Sequence, residues 1–215
     1  MVSETSSNQD PLENISGLDS SESQSEGNSY ISSKATNTPR PNPAGGESLI
    51  VDSSNSFYYS RPSEALKDAG QHDQVFIREG IYEDRIFVTE KPIRLIGASR
   101  DHVQIYNRRS SPLYLQQVPS GIISGITFRY VGSDQHSAIN IFNSTCSILQ
   151  SRAMEGILSG FVIYGHNCFP SLTNNEICHN RESGIFSFAG GKPCLLYTSD
   201  AADDTPCVDL GGRRI

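Results

Sequence analysis

The chain contains no long apolar run and no apolar leader at its start. No stretch of 18 apolar residues occurs among the 215 residues, so no membrane-spanning segment is predicted. Met1 is not followed by a charged and then apolar segment, so no signal peptide is predicted either. The expected location is therefore the cytoplasm or the nucleus, and no membrane partner is expected.

A surplus of basic residues is also missing. The net charge is -7, and acidic residues outnumber basic ones in residues 1–46 and in residues 194–215. The intervening residues 47–193 are close to neutral. Proteins that bind nucleic acid usually present a basic stripe to the phosphates. Nucleic acid is therefore not an expected partner.

Motifs for metal binding and catalysis are absent from residues 47–193. Cys146, Cys168 and Cys178 show no CxxC spacing and are expected to be reduced, buried thiols. No Asp-Asp pair, HxxH or GxSxG motif occurs before residue 194. We therefore predict no catalytic, cofactor-binding or metal-binding residue and expect this segment not to be an enzyme. Asp84, Asp101 and Asp134 are isolated acids that form no pair in the sequence. The dispersed histidines are expected to be coil-surface or turn residues: His102, His136, His166 and His179.

An internal repeat is the strongest positive signal. The segment GFVIYG at residues 160–165 recurs as GIFSFA at residues 184–189, and a weaker copy, AINIFN, occupies residues 138–143. A period of about 20–30 residues, rich in β-branched residues, aromatics, Gly and Asn, is typical of a β-solenoid. The predicted fold is all-β, a right-handed parallel β-helix of the pectin-lyase type with four or five coils.

Short strands are predicted along the whole repeat region. Alternation of apolar and polar residues predicts that one set of side chains points into the coil and the other points out. A β-sandwich would also have strands this short, but the self-similarity favours the solenoid. The predicted strands include residues 48–51, 74–77, 85–88, 93–96, 103–105, 113–115, 122–123 and 126–128, with a turn at residues 79–82.

A short helix and several asparagines complete the predicted solenoid. Residues 64–69, with Pro62 just before them, predict a helix that covers the exposed first coil as an N-terminal cap. Asn174, Asn175 and Asn180 are expected at turns, with a structural role and no ligand.

Both ends of the chain are predicted to lie outside the solenoid. Residues 1–46 form a Ser-rich acidic tail with little apolar surface, which predicts disorder. Residues 194–215 resemble the translation of sequencing-adapter DNA and break the repeat. They are therefore predicted to be non-native and irregular, so that residues 47–193 would be a partial β-helix truncated at its C-terminal end.

Four motifs carry a resemblance to a known family. They are SEAL at residues 63–66, GIY at 80–82, KPIRLIGA at 91–98 and NEIxxN at 175–180. Together they resemble the β-helix of the F-box only protein 11-like family. That resemblance implies a protein-interaction module that recognises substrates for a ubiquitin ligase, with a protein partner and no cofactor. No Leu-Pro-led F-box segment precedes the β-helix in this sequence.

A second resemblance leaves an alternative open. EGIYEDRIFV at residues 79–88 and PIRLIGAS at residues 92–99 are also similar to the opening coils of pectin esterases and other polysaccharide-active β-helices. This resemblance implies a carbohydrate-binding or polysaccharide-modifying protein whose catalytic coils are missing. A pair of carboxylates on one face would favour that alternative.

Overall fold

Short strands follow one another along residues 43–196, which are the residues that the computed structural model describes. The first of them lie on either side of a single helix, α1, and the rest follow without another helix. In chain order the elements are β1 (Ser48–Val51), α1 (Pro62–Asp68), β2 (Gln74–Ile77), β3 (Gly80–Glu83), β4 (Ile86–Thr89), β5 (Ile93–Gly97), β6 (Val103–Asn107), β7 (Leu113–Gln116), β8 (Gly121–Ser124), β9 (Thr127–Tyr130), β10 (Ile139–Phe142), β11 (Ser147–Leu149), β12 (Arg152–Met154), β13 (Ser159–Tyr164), β14 (Ser171–Thr173), β15 (Glu176–Cys178), β16 (Ser183–Phe188) and β17 (Cys194–Leu196).

The strands form three parallel sheets in strict rotation. Sheet A has the order β1-β2-β5-β8-β11-β14-β17, sheet B has β3-β6-β9-β12-β15, and sheet C has β4-β7-β10-β13-β16. Each group of three successive strands from β2 onward therefore makes one coil, with one strand in each sheet. The result is a parallel β-solenoid of about six turns. The predicted fold class is confirmed, and each coil has three strands.

Columns of apolar side chains fill the inside of the coils. In sheet C, Leu113 of β7 pairs with Ile86 of β4 and with Ile139 of β10, and all three are fully buried. The intervening residues of these strands point outward, as alternation along a strand requires. Aliphatic side chains of one coil thus stack on aliphatic side chains of the next coil. Their burial removes a continuous apolar column from water.

The helix α1 caps the first coil, as predicted. It packs against β1, β2 and β4, and its Ala65 and Leu66 are buried. The residue that caps its N-terminus comes from another element. Asp84, between β3 and β4, accepts hydrogen bonds from the backbone N and the Oγ of Ser63, both at 2.7 Å. The carboxylate satisfies an amide of the first turn that has no partner within the helix.

Sharp corners join the strands of one coil. Several corner residues immediately after a strand have a positive φ, among them Asn143 at 44° and Asn174 at 52°. Asparagine tolerates this left-handed region better than most residues. The prediction that the asparagines lie at turns is confirmed.

The C-terminal boundary of regular structure differs from the prediction. β17 pairs in parallel with β14, with Ser171 opposite Cys194 and Thr173 opposite Leu196. The prediction of irregular chain from residue 194 is therefore wrong for residues 194–196, because Leu195 lies opposite Leu172 and continues the apolar column of sheet A. Their proposed adapter origin stays a prediction. Residues 1–42 and 197–215, which include most of the predicted disordered tail, lie outside the described residues.

Two smaller differences concern sheet B. Residues 80–83, predicted as a turn, form β3, in which Tyr82 is buried. Residues 152–154, for which no strand was predicted, form β12. None of the helices described in residues 43–196 is long and apolar enough to cross a membrane.

Candidate functional site: the aromatic face of sheet C

Six aromatic side chains line the outer surface of sheet C, and we call this set the aromatic face. They occupy outward positions of β4, β7, β10, β13 and β16, so that every strand of the sheet contributes at least one ring. Its members are Phe87, Tyr114, Phe142, Tyr164, Phe186 and Phe188.

Ring-to-ring contacts link these side chains across the sheet. Phe142 and Tyr164 stack with centroids 4.9 Å apart, and Tyr164 and Phe188 stack at 5.1 Å with planes only 6° apart. Phe188 contacts Phe186 at 5.2 Å. At the other end of the sheet, Phe87 and Tyr114 lie 5.3 Å apart. These separations are within the range of favourable aromatic pairs.

A hydroxyl pair connects the two groups of rings. The Oη atoms of Tyr114 and Tyr164 are 2.6 Å apart and share a hydrogen bond. Burial, followed by this hydrogen bond, raises the pKa of Tyr164 well above its ordinary value. The Tyr164 hydroxyl therefore stays neutral at physiological pH.

Both faces of the Tyr164 ring are covered by neighbouring rings. Phe142 and Phe188 cover both faces of Tyr164, because neighbouring rings stack in register along the solenoid. The exposed fractions of Phe87, Phe186 and Phe188 are nevertheless 49%, 51% and 43%. Contiguous patches of exposed apolar surface are uncommon on soluble proteins and often mark interaction sites.

Sheet B presents a different surface, which is polar and internally ion-paired. Nη2 of Arg152 lies 2.7 Å from Oε2 of Glu176 and 2.9 Å from Oδ1 of Asp101. Arg129 on β9 pairs with Glu155 in the same way. These ion pairs join residues that belong to different coils.

Asp101 and Glu176 test the carboxylate criterion for a polysaccharide enzyme. Because both contact the same nitrogen, their oxygens lie within about 6 Å of each other, which falls in the range of glycosidase pairs. A general acid, however, needs a raised pKa. Burial disfavours the charged form of Glu176, but Arg152 and Arg100 outweigh it and hold the pKa of Glu176 below its usual value. This arrangement favours a structural ion pair.

The other acids and the histidines do not converge on one site. Asp84 is buried at the start of α1 and caps it. His102 contacts Glu79 through Nδ1 at 3.2 Å, and His136 lies against the edge of Tyr130. Within residues 43–196 no group of three or more His, Cys, Asp or Glu side chains is placed to hold a metal ion.

The three predicted thiols are buried, as expected, and Cys146 and Cys168 belong to the apolar core inside the coils. Cys146, Cys168 and Cys178 are buried, and Sγ of Cys168 lies 3.4 Å from the carbonyl oxygen of Ile141. Burial raises the pKa of Cys146 to about 12. A thiol with this pKa is neither a nucleophile nor a ready metal ligand at neutral pH.

The sequence contains a signal for the aromatic face, namely aromatic residues at outward positions of successive repeats. Each strand of sheet C alternates between one buried and one outward set, and the aromatic residues fall repeatedly in the outward set. Aromatic residues at outward positions of successive repeats predict a shared surface once the solenoid is assumed.

Comparisons with known proteins add no name to this geometry. No protein-family model, no curated protein and no solved structure matches the chain. The arrangement of the residues is therefore the basis for assigning a function to this chain.

Proposed function

We propose that the solenoid is a protein-binding module and that the aromatic face of sheet C is its contact surface. The observation that carries the proposal is the stacking of Tyr164 between Phe142 and Phe188, which makes a continuous row of rings on the outer surface of sheet C. The row is rigid because its rings are held by parallel strands. Rigid aromatic side chains contribute contact area at a low cost in conformational entropy, and they are enriched in protein interfaces.

The same stacking favours a protein over a sugar. Carbohydrate rings bind aromatic side chains through the open ring face, whereas here the faces within the stack are occupied by neighbouring rings. A partner that packs against this row of rings with aliphatic and aromatic side chains suits this surface better. The hydrogen-bonded hydroxyl pair of Tyr114 and Tyr164 also offers a polar contact inside an otherwise apolar patch.

The partner that we propose is a substrate protein of an F-box-type ubiquitin ligase. Support for this finer assignment comes from the sequence resemblance at residues 63–66, 80–82, 91–98 and 175–180. Within residues 43–196 the helical content is the seven-residue α1, which is too short for a ligase-docking domain. In this proposal, docking to the ligase depends on residues outside that range or on another subunit.

The proposal is tested by comparing two matched variants of the full chain. The first replaces Phe87, Phe186 and Phe188 by Ser, which removes the exposed rings of sheet C. The second replaces Ile81 by Ser; this side chain is 67% exposed but lies on sheet B. Each protein is immobilised and its bound proteins are quantified by mass spectrometry, and each is also applied to a glycan array.

We expect a set of proteins that the wild type and the Ile81→Ser variant retain and the triple variant loses. Direct binding of one purified member, measured by calorimetry, must show the same ranking. Equal retention by all three proteins would contradict the proposed surface. Glycan binding that disappears only in the triple variant would instead support the carbohydrate alternative. Ubiquitination of a retained protein in a reconstituted reaction tests the finer assignment separately.

A further inference from the structure

The first strand of sheet C has a free edge. β4 is the end strand of this sheet and pairs with β7 alone. The backbone N of Ile86 donates to the carbonyl oxygen of Pro112, and the backbone N of Glu90 donates to that of Gln116. Because successive residues of a strand direct their backbone groups to opposite sides, Phe87 and Thr89 direct theirs away from β7. These N–H and C=O groups face no other strand in the described part of the chain.

A groove runs along this free edge. It lies between β4 and the helix α1, has a volume of about 490 Å³, and is lined by backbone and side chains of both elements. Its exposed apolar part is the half-exposed ring of Phe87, whereas Ile86 and Val88 are buried and direct their side chains into the coil. A groove bordered by an unpaired strand edge is the arrangement in which an extended peptide can add a strand to a sheet.

The charged side chains that line the groove are all basic. They are Lys67 on α1, Arg85 just before β4, and Lys91 just after it. Nζ of Lys91 donates to the carbonyl oxygen of Leu66 at 2.7 Å, and the Arg85 guanidinium lies 5.6 Å from the centroid of Phe87. None of the three forms an ion pair with a carboxylate of residues 43–196. The carboxylate of the nearby Asp84 already accepts hydrogen bonds from Ser63 and from the backbone N of Arg85.

We propose that this groove binds an extended acidic peptide of a partner protein, which adds to β4 as a parallel strand. The backbone groups of Phe87 and Thr89 pair with the peptide backbone. Alternate side chains of the peptide pack against the exposed ring of Phe87, and the others bring carboxylates to Lys67, Arg85 and Lys91. This site is separate from the aromatic face except for Phe87, which both share, so it adds a second contact to the proposed module.

The test uses a defined probe and the full chain. A fluorescent peptide of about six residues that alternates Glu and Val is titrated with the protein, and its anisotropy is followed. Peptides with Lys or Gln in place of Glu serve as charge controls. We expect the Glu peptide to bind and the Lys peptide not to bind. Raising the salt from about 0.05 M to 0.5 M should weaken binding of the Glu peptide about tenfold.

Variants of the groove separate charge from strand pairing. Lys67→Gln and Arg85→Gln should each weaken binding about two- to fivefold, the range of exposed ion pairs. Thr89→Pro removes the outward N–H without touching the ladder to β7, and it should weaken binding about tenfold or more. Thr89→Val keeps the N–H and should bind like the wild type. Ile81→Ser, on the outer surface of sheet B and outside the groove, should leave the affinity unchanged.

Three results would overturn the proposal. Equal binding of the Lys peptide would remove the charge argument. Full binding by Thr89→Pro, with an unchanged circular dichroism spectrum, would exclude strand addition. If this variant fails to fold, the salt dependence of peptide binding is measured in Arg85→Gln instead. A salt dependence as strong as that of the wild type would then contradict the proposed contacts. Binding that emerges only after the six acidic residues of residues 1–42 are changed to amides would assign the groove to the chain's own acidic segment and not to a partner.

Discussion

Asparagine side chains of the last complete coil hold it to the backbone of the coil before it. Oδ1 of Asn175 accepts a hydrogen bond from the backbone N of Ser151 at 2.9 Å, and its Nδ2 donates to the carbonyl oxygen of Ile148 at 2.7 Å. Asn180 bonds in the same way to Gly156 and Ala153. Each side-chain amide thus satisfies one backbone donor and one backbone acceptor of the preceding corner. Asparagine can do this because its side chain has both an acceptor oxygen and a donor NH₂ group.

Replacing Asn175 by Ala should lower the free energy of unfolding by about 1–3 kcal/mol. The reason is that Ser151 and Ile148 are buried, so their backbone groups would lose a partner that water cannot easily replace. Urea denaturation of the full chain measures the effect. Asn167→Ala is the matched control, since Asn167 is exposed, and should change stability by less than about 0.5 kcal/mol. A similar loss in both variants would contradict the proposed role.

Alkylation of cysteines should follow their burial. Because burial raises the pKa of Cys146 to about 12, its thiolate fraction at pH 8 is on the order of a thousandfold below that of an ordinary thiol. Cys168 is buried as well, whereas Cys194 on β17 is exposed. Brief treatment with iodoacetamide and peptide mapping should therefore find Cys194 modified and Cys146 and Cys168 protected. Both should react after addition of urea. Modification of Cys146 at the rate of Cys194 in the folded protein would show that the coils open readily.

At the scale of elements, the aromatic face also ties the strands of sheet C together. Tyr164 contacts a ring on either side, so Tyr164→Ala removes two aromatic pairs and should cost roughly 1–3 kcal/mol. Tyr164→Phe keeps the stack and loses only the bond to Tyr114, which predicts a cost of about 0.5–1.5 kcal/mol. Urea denaturation distinguishes the two variants. If they were equally destabilised, the hydroxyl pair and not the stack would be the main contribution.

The hydroxyl pair predicts a loss of stability in alkali. The pKa of Tyr164 is raised in the folded protein by burial and by the bond to Tyr114, while in the unfolded chain it is close to 10. The stability that this group contributes is therefore complete below about pH 10 and is lost as the pH rises further. Denaturation midpoints measured between about pH 9 and 11 should fall less steeply for Tyr164→Phe than for the wild type. Parallel curves would contradict the assignment of the shift to this residue.

Sequence patterns predicted the strands whose apolar residues alternate clearly, and they failed where a strand is short or has few apolar residues. β12 contains one inward residue, Ala153, and no β-branched residue, so nothing in Arg152–Met154 favours a strand without its neighbours β9 and β15. β3 was mistaken for a turn because of Gly80. The aromatic residues do recur at outward positions of the repeat, but their rings are far apart in sequence, and the repeat pattern alone does not show which of them stack. Corner lengths fix their register, and only the folded coils show it.

The interior of the solenoid is a stack of apolar side-chain layers, one from each coil. The layer of the last described coil is incompletely covered. The inner column of sheet C runs through Ile86, Leu113, Ile139, Phe161 and Ile185. The first four are fully buried, but Ile185 on β16 is half-buried, and so are Ile177 and Leu195 in the other sheets. A solenoid gains stability from contacts between neighbouring coils, so a coil with one neighbour should open before the others.

Equivalent substitutions in the middle and at the end of this column measure the difference. Ile139→Ala should lower the free energy of unfolding by about 2–5 kcal/mol, as expected for a buried isoleucine. Ile185→Ala should cost less than half as much, because its side chain already contacts solvent and its coil can open alone. Amide hydrogen exchange should accordingly be fastest in β15–β17 and slowest in β7–β13. Equal costs for the two substitutions, together with uniform protection, would mean that another segment or a second copy covers the terminal coil in solution.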